Sequence, residues 1–332
     1  MRFIILVVFL ICAWPLSAQT PTDQDDVIRV DTDVTNLPFT AVDGNRRFIT
    51  TLNPEDVRVL EDGVPQKLFT FQRETDRPLA LAFLIDVSRS QEKTLPQEKA
   101  AVRTFMENVV QSSKDQVAIV PFTGLAYLEL EMTRDMLSAY RVLQRVEIGA
   151  PAYYGSGRPL GGISTGPGMA APPEEGMTSI RDAVALTADN VLARVTGQRR
   201  RAIILLTDGL DTSSRLAMKD AIDRTLQAEA VIYVVGIGDH SRTGQGVDKG
   251  SLKDIAERTG GRAFFPKNDL DLQTSFSEIE KELRTQYLLA YTSTNKRKDG
   301  AYRKITVDLL NPELKKQKVQ LRYRPGYFAR KN

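Results

Sequence analysis

Apolar and polar residues alternate in two outer zones of this chain, residues 27–71 and the stretch from residue 287 onward. Alternation with a period of two residues is typical of β-strands that bury one face and expose the other. Turn signals separate successive runs, at Glu61-Asp62-Gly63 in the first zone and at Asp299-Gly300 in the last. Because three strands bury little surface alone, we expect the last zone to pack with residues 27–73 in one β-sandwich.

The middle zone, from about residue 77 to residue 284, has a different pattern. Its apolar runs are short and continuous, as in strands that are covered on both faces. These runs are residues 79–85, 117–122, 202–206 and 231–237. Helix-like stretches alternate with them, at residues 99–110, 179–195, 217–230 and 252–259. This order predicts a doubly wound, mostly parallel α/β sheet, inserted into the β-sandwich.

Residues 1–18 have the pattern of a secretory signal peptide. Arg2 supplies positive charge, residues 3–14 form an apolar run too short to span a bilayer, and Ala18 stands at the expected cleavage point. Cys12, the single cysteine, lies inside that run, so we expect an exported mature chain without disulfides. No later segment is long and apolar enough for a membrane span, so we expect a periplasmic, secreted or surface protein.

These patterns predict four segments in the chain. Residues 1–18 are the signal peptide, 19–76 the N-terminal β segment, 77–284 the α/β domain, and 285–332 a C-terminal β segment that packs with 19–76. Two further stretches leave alternatives open. Residues 148–176 are rich in Gly and Pro, which fits either a partner-recognition loop or a floppy insertion. The basic runs 199–201 and 315–318 fit solvated surface, or contact with an anionic surface.

Composition excludes several classes of function. The chain has 332 residues, with 45 Lys and Arg against 42 Asp and Glu, and a formal net charge of +3. This near balance argues against a dedicated nucleic-acid-binding protein. Zinc sites of His and Cys need several such ligands, and the chain has one His and one Cys. A nucleophile–histidine dyad could use only His240, which we expect on the surface.

Oxygen-bearing side chains gather where the predicted buried strands end. Asp86 ends the first strand and is followed by Ser88 and Ser90; Asp208 follows another, and Thr178 stands where a helix should begin. The carboxyl ends of parallel strands are where ligands bind in open α/β sheets. Oxygen is the ligand that hard cations such as Mg²⁺ and Ca²⁺ prefer. The two carboxylates of Asp86 and Asp208 would neutralise a divalent ion without excess negative charge. A coordination position left open on that ion should therefore attract a carboxylate from another molecule.

The motifs Asp86-x-Ser88-x-Ser90 and Thr207-Asp208-Gly209, with Thr178 between them, resemble the metal-ion-dependent adhesion site of the von Willebrand factor type A family. The resemblance covers residues 77–284 and includes all five motif positions. It implies that Ser88 and Ser90 bind Mg²⁺, or Mn²⁺ or Ca²⁺, through their hydroxyls, and that Thr178 binds directly in a high-affinity state. It also implies that Asp86 and Asp208 bind directly or through water.

The flanking β segments resemble an exported bacterial subgroup of von Willebrand A-related proteins. The resemblance rests on Glu61-Asp62-Gly63 and on the Tyr-Leu-Leu-Ala-Tyr strand of residues 287–291. Together these observations predict a non-enzymatic, adhesion-type module that binds a protein partner presenting Asp or Glu. The alternatives are a cell-envelope scaffold stabilised by its metal and, less favoured, a Mg²⁺-dependent hydrolase. Ser88 stands where such a phosphohydrolase needs its second acid, and a single His leaves no evident general base.

Overall fold

The computed structural model describes residues 34–45, 47–73, 77–149, 158–160, 177–238 and 247–329. The predicted signal peptide with Cys12, most of the stretch 148–176, and His240 lie outside these residues. Within the described part of the chain, no helix is both long and apolar enough to cross a bilayer.

The strands are β1 (Val34–Val42), β2 (Val57–Glu61), β3 (Val64–Pro65), β4 (Leu68–Arg73), β5 (Leu79–Asp86), β6 (Gln116–Phe122), β7 (Tyr127–Leu128), β8 (Leu130–Thr133), β9 (Arg158–Pro159), β10 (Arg200–Thr207), β11 (Ala230–Gly236), β12 (Arg262–Phe264), β13 (Tyr287–Thr292), β14 (Tyr302–Leu309), β15 (Gln320–Tyr323) and β16 (Gly326–Phe328). The helices are α1 (Leu95–Val109), α2 (Met136–Arg145), α3 (Ile180–Thr187), α4 (Met218–Gln227), α5 (Lys249–Glu257), α6 (Asp269–Thr285) and α7 (Pro312–Lys316). Single 3₁₀ turns cover Pro54–Asp56 and Arg89–Gln91, and a π-helical turn, Ala188–Leu192, continues α3.

A six-stranded sheet, in the order β12-β11-β10-β5-β6-β8, forms the centre of the molecule. Its strands are parallel except for the edge strand β8, which runs antiparallel to β6. Every residue of β5 and β11 is buried, because helices cover both faces of the sheet. The predicted doubly wound, mostly parallel α/β sheet is therefore confirmed.

Each face of this sheet has its own hydrophobic core. On one face, α1, α2 and α6 pack on the strands, and the rings of Phe83, Phe105 and Phe276 meet with centroids 5.9 and 5.2 Å apart. On the other face, α3, α4 and α5 contribute apolar side chains such as Val184 and Leu226. The two cores hold the ends of the parallel strands in fixed register, which positions the loops that follow them.

Two four-stranded antiparallel sheets form the β-sandwich, in the orders β15-β1-β13-β4 and β16-β14-β2-β3. Each sheet combines strands from before and after the α/β part of the chain, as predicted. They share one core, in which the rings of Phe39 and Tyr287 stack with centroids 5.1 Å apart. Asp299-Gly300 joins β13 to β14, which lie in different sheets, so this turn closes no hairpin. The boundaries near residues 76 and 284 stay a prediction.

Arg158–Pro159, inside the Gly- and Pro-rich stretch, forms the short strand β9 that pairs with β7. One expectation for an individual segment needs correction. The basic run 199–201 is not solvated surface throughout: Arg200 is 6% exposed, because it begins β10 between β5 and β11, and its amide donates to the Pro78 carbonyl. The second basic run, residues 315–318, is exposed as expected.

Candidate metal centre

Asp86 and Asp208 lie side by side at the carboxyl edge of the central sheet. Asp86 is the last residue of β5, and Asp208 directly follows β10. The two strands are parallel neighbours paired through Leu206 and Ile85, so Thr207 comes next to Asp86. The Thr207 hydroxyl donates a hydrogen bond of 2.6 Å to Asp86 Oδ2. The sheet register therefore brings together two carboxylates that are far apart in the chain.

The loop after β5 turns the two serines toward the same point. The Ser88 amide donates to Asp86 Oδ1 at 2.9 Å, which bends the chain back over the carboxylate. The hydroxyl oxygens of Ser88 and Ser90 lie 3.0 Å apart. Ser88 is buried and Ser90 is half-buried, so the open side of this cluster is next to Ser90.

Thr178 connects the loops on both sides of β5. Its amide donates to Thr212 Oγ1 at 2.9 Å, and its carbonyl accepts from the amides of Thr212 and Ser213, in the loop that follows β10. The amide of the next residue, Ser179, donates a hydrogen bond of 2.8 Å to the carbonyl of Thr123, in the loop that follows β6. Because β5 lies between β10 and β6, these bonds place Thr178 across the end of β5, the strand that Asp86 ends. The structure thus brings all five predicted residues to one edge.

The site is electrostatically unbalanced without a cation. Asp86 is fully buried. Burial raises the pKa of Asp86 to about 6, with a smaller contribution from the charge of Asp208, while hydrogen bonds from Ser88 and Thr207 act to lower it. Among the described residues, the structure has no ion pair to either aspartate. A buried carboxylate without a basic partner, in an all-oxygen donor set, fits a hard divalent cation.

Sequence reasoning did not find the residues that support Asp86 and Asp208. Thr207 was recognised only as part of the motif, although its position before Asp208 places it beside Asp86. Gln91 is fully buried, and its amide fits an orientation in which its oxygen accepts from the Asp208 amide at 3.0 Å while its nitrogen donates to Glu98 at 2.9 Å. Burial raises the pKa of Glu98 to about 8. Gln91 and Glu98 follow no recognisable pattern in the sequence.

No cluster of three or more His, Cys, Asp or Glu side chains suited to a metal occurs in the part of the chain that the structure describes. The candidate centre has two carboxylates, so its remaining donors are the hydroxyls of Ser88, Ser90 and Thr178. This donor set excludes the sulfur- and imidazole-rich arrangement of structural zinc sites.

Two family models match the central part of the chain. Both describe the von Willebrand factor type A domain, one over residues 81–210 and the other over residues 169–279. The first match includes all five residues of the candidate centre. No curated protein matches the chain.

Several solved structures are similar to part of the chain, at low sequence identity. One is a von Willebrand factor type A protein from Catenulispora acidiphila, 13% identical, with 84% of this chain and 70% of that chain covered and a TM-score of 0.48. The conserved hypothetical protein BatB from Bacteroides thetaiotaomicron is 20% identical, covering 62% of this chain and 100% of that chain, with a TM-score of 0.44. Proximal thread matrix protein 1 from the mussel byssus, with a zinc occupied MIDAS motif, is 17% identical. The match covers 67% of this chain and 50% of that chain, with a TM-score of 0.48.

Proposed function

We propose that this chain, which matches the von Willebrand factor type A domain within residues 81–279, is an interaction module that binds a protein ligand through a divalent cation. The cation is Mg²⁺, or Mn²⁺ or Ca²⁺, held by Asp86, Ser88, Ser90, Thr178 and Asp208. The observation that carries this proposal is the fully buried Asp86 carboxylate, which has hydroxyl donors around it and no ion pair among the described residues.

The charges of the centre suggest what the partner presents. Two carboxylates neutralise a divalent cation, and the three hydroxyls add no charge. The occupied centre would then carry no net negative charge that repels another carboxylate. The partner would therefore supply an Asp or Glu side chain as a further ligand of the cation. Arg89 lies between the two serines and is exposed, which adds positive charge beside the half-buried Ser90.

Two finer parts of the proposal concern location and chemistry. Export is proposed from the signal-type residues 1–18. A non-enzymatic role is proposed because Ser88, rather than an acid, follows Asp86 by two residues, and because a single His in the sequence leaves no evident general base. The bound cation would supply a charged contact for the ligand carboxylate, and the loops after β5, β6 and β10 would supply the surrounding surface.

Metal titration tests the centre directly. We expect calorimetry to show saturable binding of Mg²⁺ and Mn²⁺ to chelator-stripped protein. Asp86→Ala should abolish this binding, whereas Asp254→Ala, which removes a half-exposed carboxylate on α5, should leave it unchanged. Absence of binding in the wild type, or equal binding in the Asp86→Ala variant, would contradict the proposed centre.

Asp208→Ala distinguishes an interaction module from a metal-stabilised scaffold. For an interaction module, we expect the variant to keep its fold and its denaturation midpoint in chelator, and to lose cation-dependent capture of an acidic partner. For a scaffold, the wild type would gain a large part of its stability from the cation, and the variant would lose that gain without any effect on a partner. Capture in Mg²⁺ and in chelator, with denaturation curves on the same samples, measures both.

A further inference from the structure

A second polar site lies at the opposite, amino-terminal edge of the central sheet. Here a cavity of about 50 Å³ is lined by the start of β10, the start of β11 and residues of β1 and β13. It therefore lies where the α/β domain meets the β-sandwich. Its volume is several times the roughly 10–15 Å³ that one water needs, so it has room for a small polyatomic ion.

The lining of this cavity carries a large excess of positive charge. Among its described residues are five arginines, and one acid, Glu229. The arginines are Arg77, Arg199, Arg200, Arg201 and Arg324. Arg200 is 6% exposed, and the others are half-buried. Like charges held close together in a poorly hydrated place cost free energy unless an opposite charge compensates them.

Two of these guanidinium groups have a buried N–H group without an acceptor among the described residues. Arg201 donates to the carbonyls of Ala228 and Val195 at 3.0 and 2.9 Å, but its buried Nε has no hydrogen-bond partner in the described structure. Arg324 donates to the carbonyl of Asn36 at 2.8 Å, and its buried Nε also has no such partner. Arg77 and Arg200 make interactions of their own. Buried N–H donors of this kind are rare unless a group accepts from them.

Glu229 does not balance the arginines. Its carboxylate oxygen Oε2 lies 3.8 Å from Arg201 Nη1, and its side chain is about half exposed. The other carboxylate oxygen accepts a hydrogen bond from the side-chain amide of Asn36. A half-exposed ion pair of that length contributes little. The buried Nε–H groups of Arg201 and Arg324 are therefore open to a further acceptor.

We propose that this cavity is an anion-binding site for a small oxyanion of the phosphate type. Guanidinium groups form their strongest hydrogen bonds with oxyanions, and several oxygens on one centre can accept from arginines that approach from different directions. Gln286, which also lines the cavity, has a buried amide oxygen without a partner in the described structure. Phosphate at neutral pH retains an O–H group, which can donate to that oxygen. Phosphate would thus bind the two parts of the molecule together, independently of the metal centre.

Calorimetric titration with inorganic phosphate tests this site, in metal-free protein and at constant ionic strength set with NaCl. We expect saturable binding with a Kd below about 1 mM and a matching rise in Tm. Arg201→Gln and Arg324→Gln should each weaken binding at least tenfold. Arg103→Gln, which removes an arginine of an exposed ion pair on α1, should leave it unchanged. All of these variants should keep the Mg²⁺ affinity of the wild type.

Glu229→Gln gives a test that does not depend on loss of function. Because the variant removes a negative charge that repels an anion in the cavity, phosphate binding should tighten by about threefold to tenfold. Absence of phosphate binding in the wild type would show that the arginines are compensated within the chain, and would overturn the proposal. Binding that is equal in the wild type, Arg324→Gln and Glu229→Gln would overturn it as well, since the ion would then bind elsewhere.

Discussion

Tyr291 donates a hydrogen bond of 2.9 Å to the buried carboxylate of Glu61, across 230 positions of the chain. Glu61 ends β2 in one sheet of the β-sandwich, and Tyr291 lies on β13 in the other. The hydroxyls of Tyr327 and Ser293 donate to the same carboxylate. The segments before and after the α/β domain are therefore joined by one buried hydrogen-bond cluster as well as by their apolar core.

Tyr291→Phe should weaken the β-sandwich. The change keeps the ring but removes one donor from a buried carboxylate, so we expect the free energy of unfolding to fall by about 1–3 kcal/mol. Urea denaturation followed by circular dichroism measures this loss, with Mg²⁺ affinity as a second readout that should not change. Tyr302→Phe is the control, because Tyr302 is 41% exposed. Equal midpoints for the two variants would show that the cluster around Glu61 contributes nothing measurable.

Thr207→Val should weaken metal binding although Thr207 is not a proposed ligand. The hydroxyl that holds Asp86 Oδ2 at 2.6 Å is lost, and the carboxylate becomes free to rotate. Residues that orient metal ligands typically change affinity by about 10–100-fold when they are replaced. Calorimetric Mg²⁺ titration measures the change. Thr225→Val is a matched control, since this buried hydroxyl bonds only within α4, to Ala221. A Thr207→Val variant with wild-type affinity would contradict the orienting role.

Glu98→Gln should remove a pH dependence from the stability of the metal-free protein. Burial raises the pKa of Glu98 to about 8, and the nearby charges of Asp86 and Asp208 act in the same direction. Folded protein therefore keeps a proton that the unfolded chain releases above its usual pKa of 4.5. Stability from this group is complete below that pH and is lost as pH rises toward 8.

The useful window for this measurement lies between about pH 6.5 and pH 8, above the pKa of about 6 of Asp86. Over this range the wild type should lose up to about 2 kcal/mol of unfolding free energy, whereas Glu98→Gln should lose none through this group. Urea denaturation in chelator at both pH values measures the difference. Glu92→Gln, at an exposed neighbouring position, should behave as the wild type. If the unfolding free energy of Glu98→Gln fell with pH as steeply as that of the wild type, the pH dependence would belong to another group.

Gly209→Ala should damage the candidate metal centre more than an equivalent change elsewhere. Gly209 has φ +86°, and a Cβ atom there would lie 2.8 Å from the Leu252 side chain. Gly63 has φ +82° with open space around it, so Gly63→Ala carries only the backbone strain, about 1–2 kcal/mol. We expect Gly209→Ala to be less stable than Gly63→Ala and also to bind Mg²⁺ more weakly. Denaturation and calorimetry on both variants test this, and equal losses would mean that Leu252 moves aside freely.

Much of the central sheet could be predicted because the cause of the pattern is local. Strands covered on both faces must be apolar throughout, so β5, β6, β10 and β11 were predicted to within about two residues of their observed ends. The edge strands β8 and β12 were not, since they are short and partly exposed. Alternation showed which positions of β14 are buried, whereas the first five residues of β13 are all buried. Neither pattern showed that the two strands belong to different sheets.

The sequence by itself determined the all-oxygen donor set of the candidate centre, because Asp86, Ser88 and Ser90 lie within one turn and the motif identifies Thr178 and Asp208. Only the tertiary structure decided that Thr207 holds Asp86 and that Thr178 spans the end of β5. It also decided that one basic run is partly buried, at Arg200, while the other is exposed. The physical reason is that residue type and spacing fix what a side chain can bond, whereas strand order and register fix which distant groups surround it.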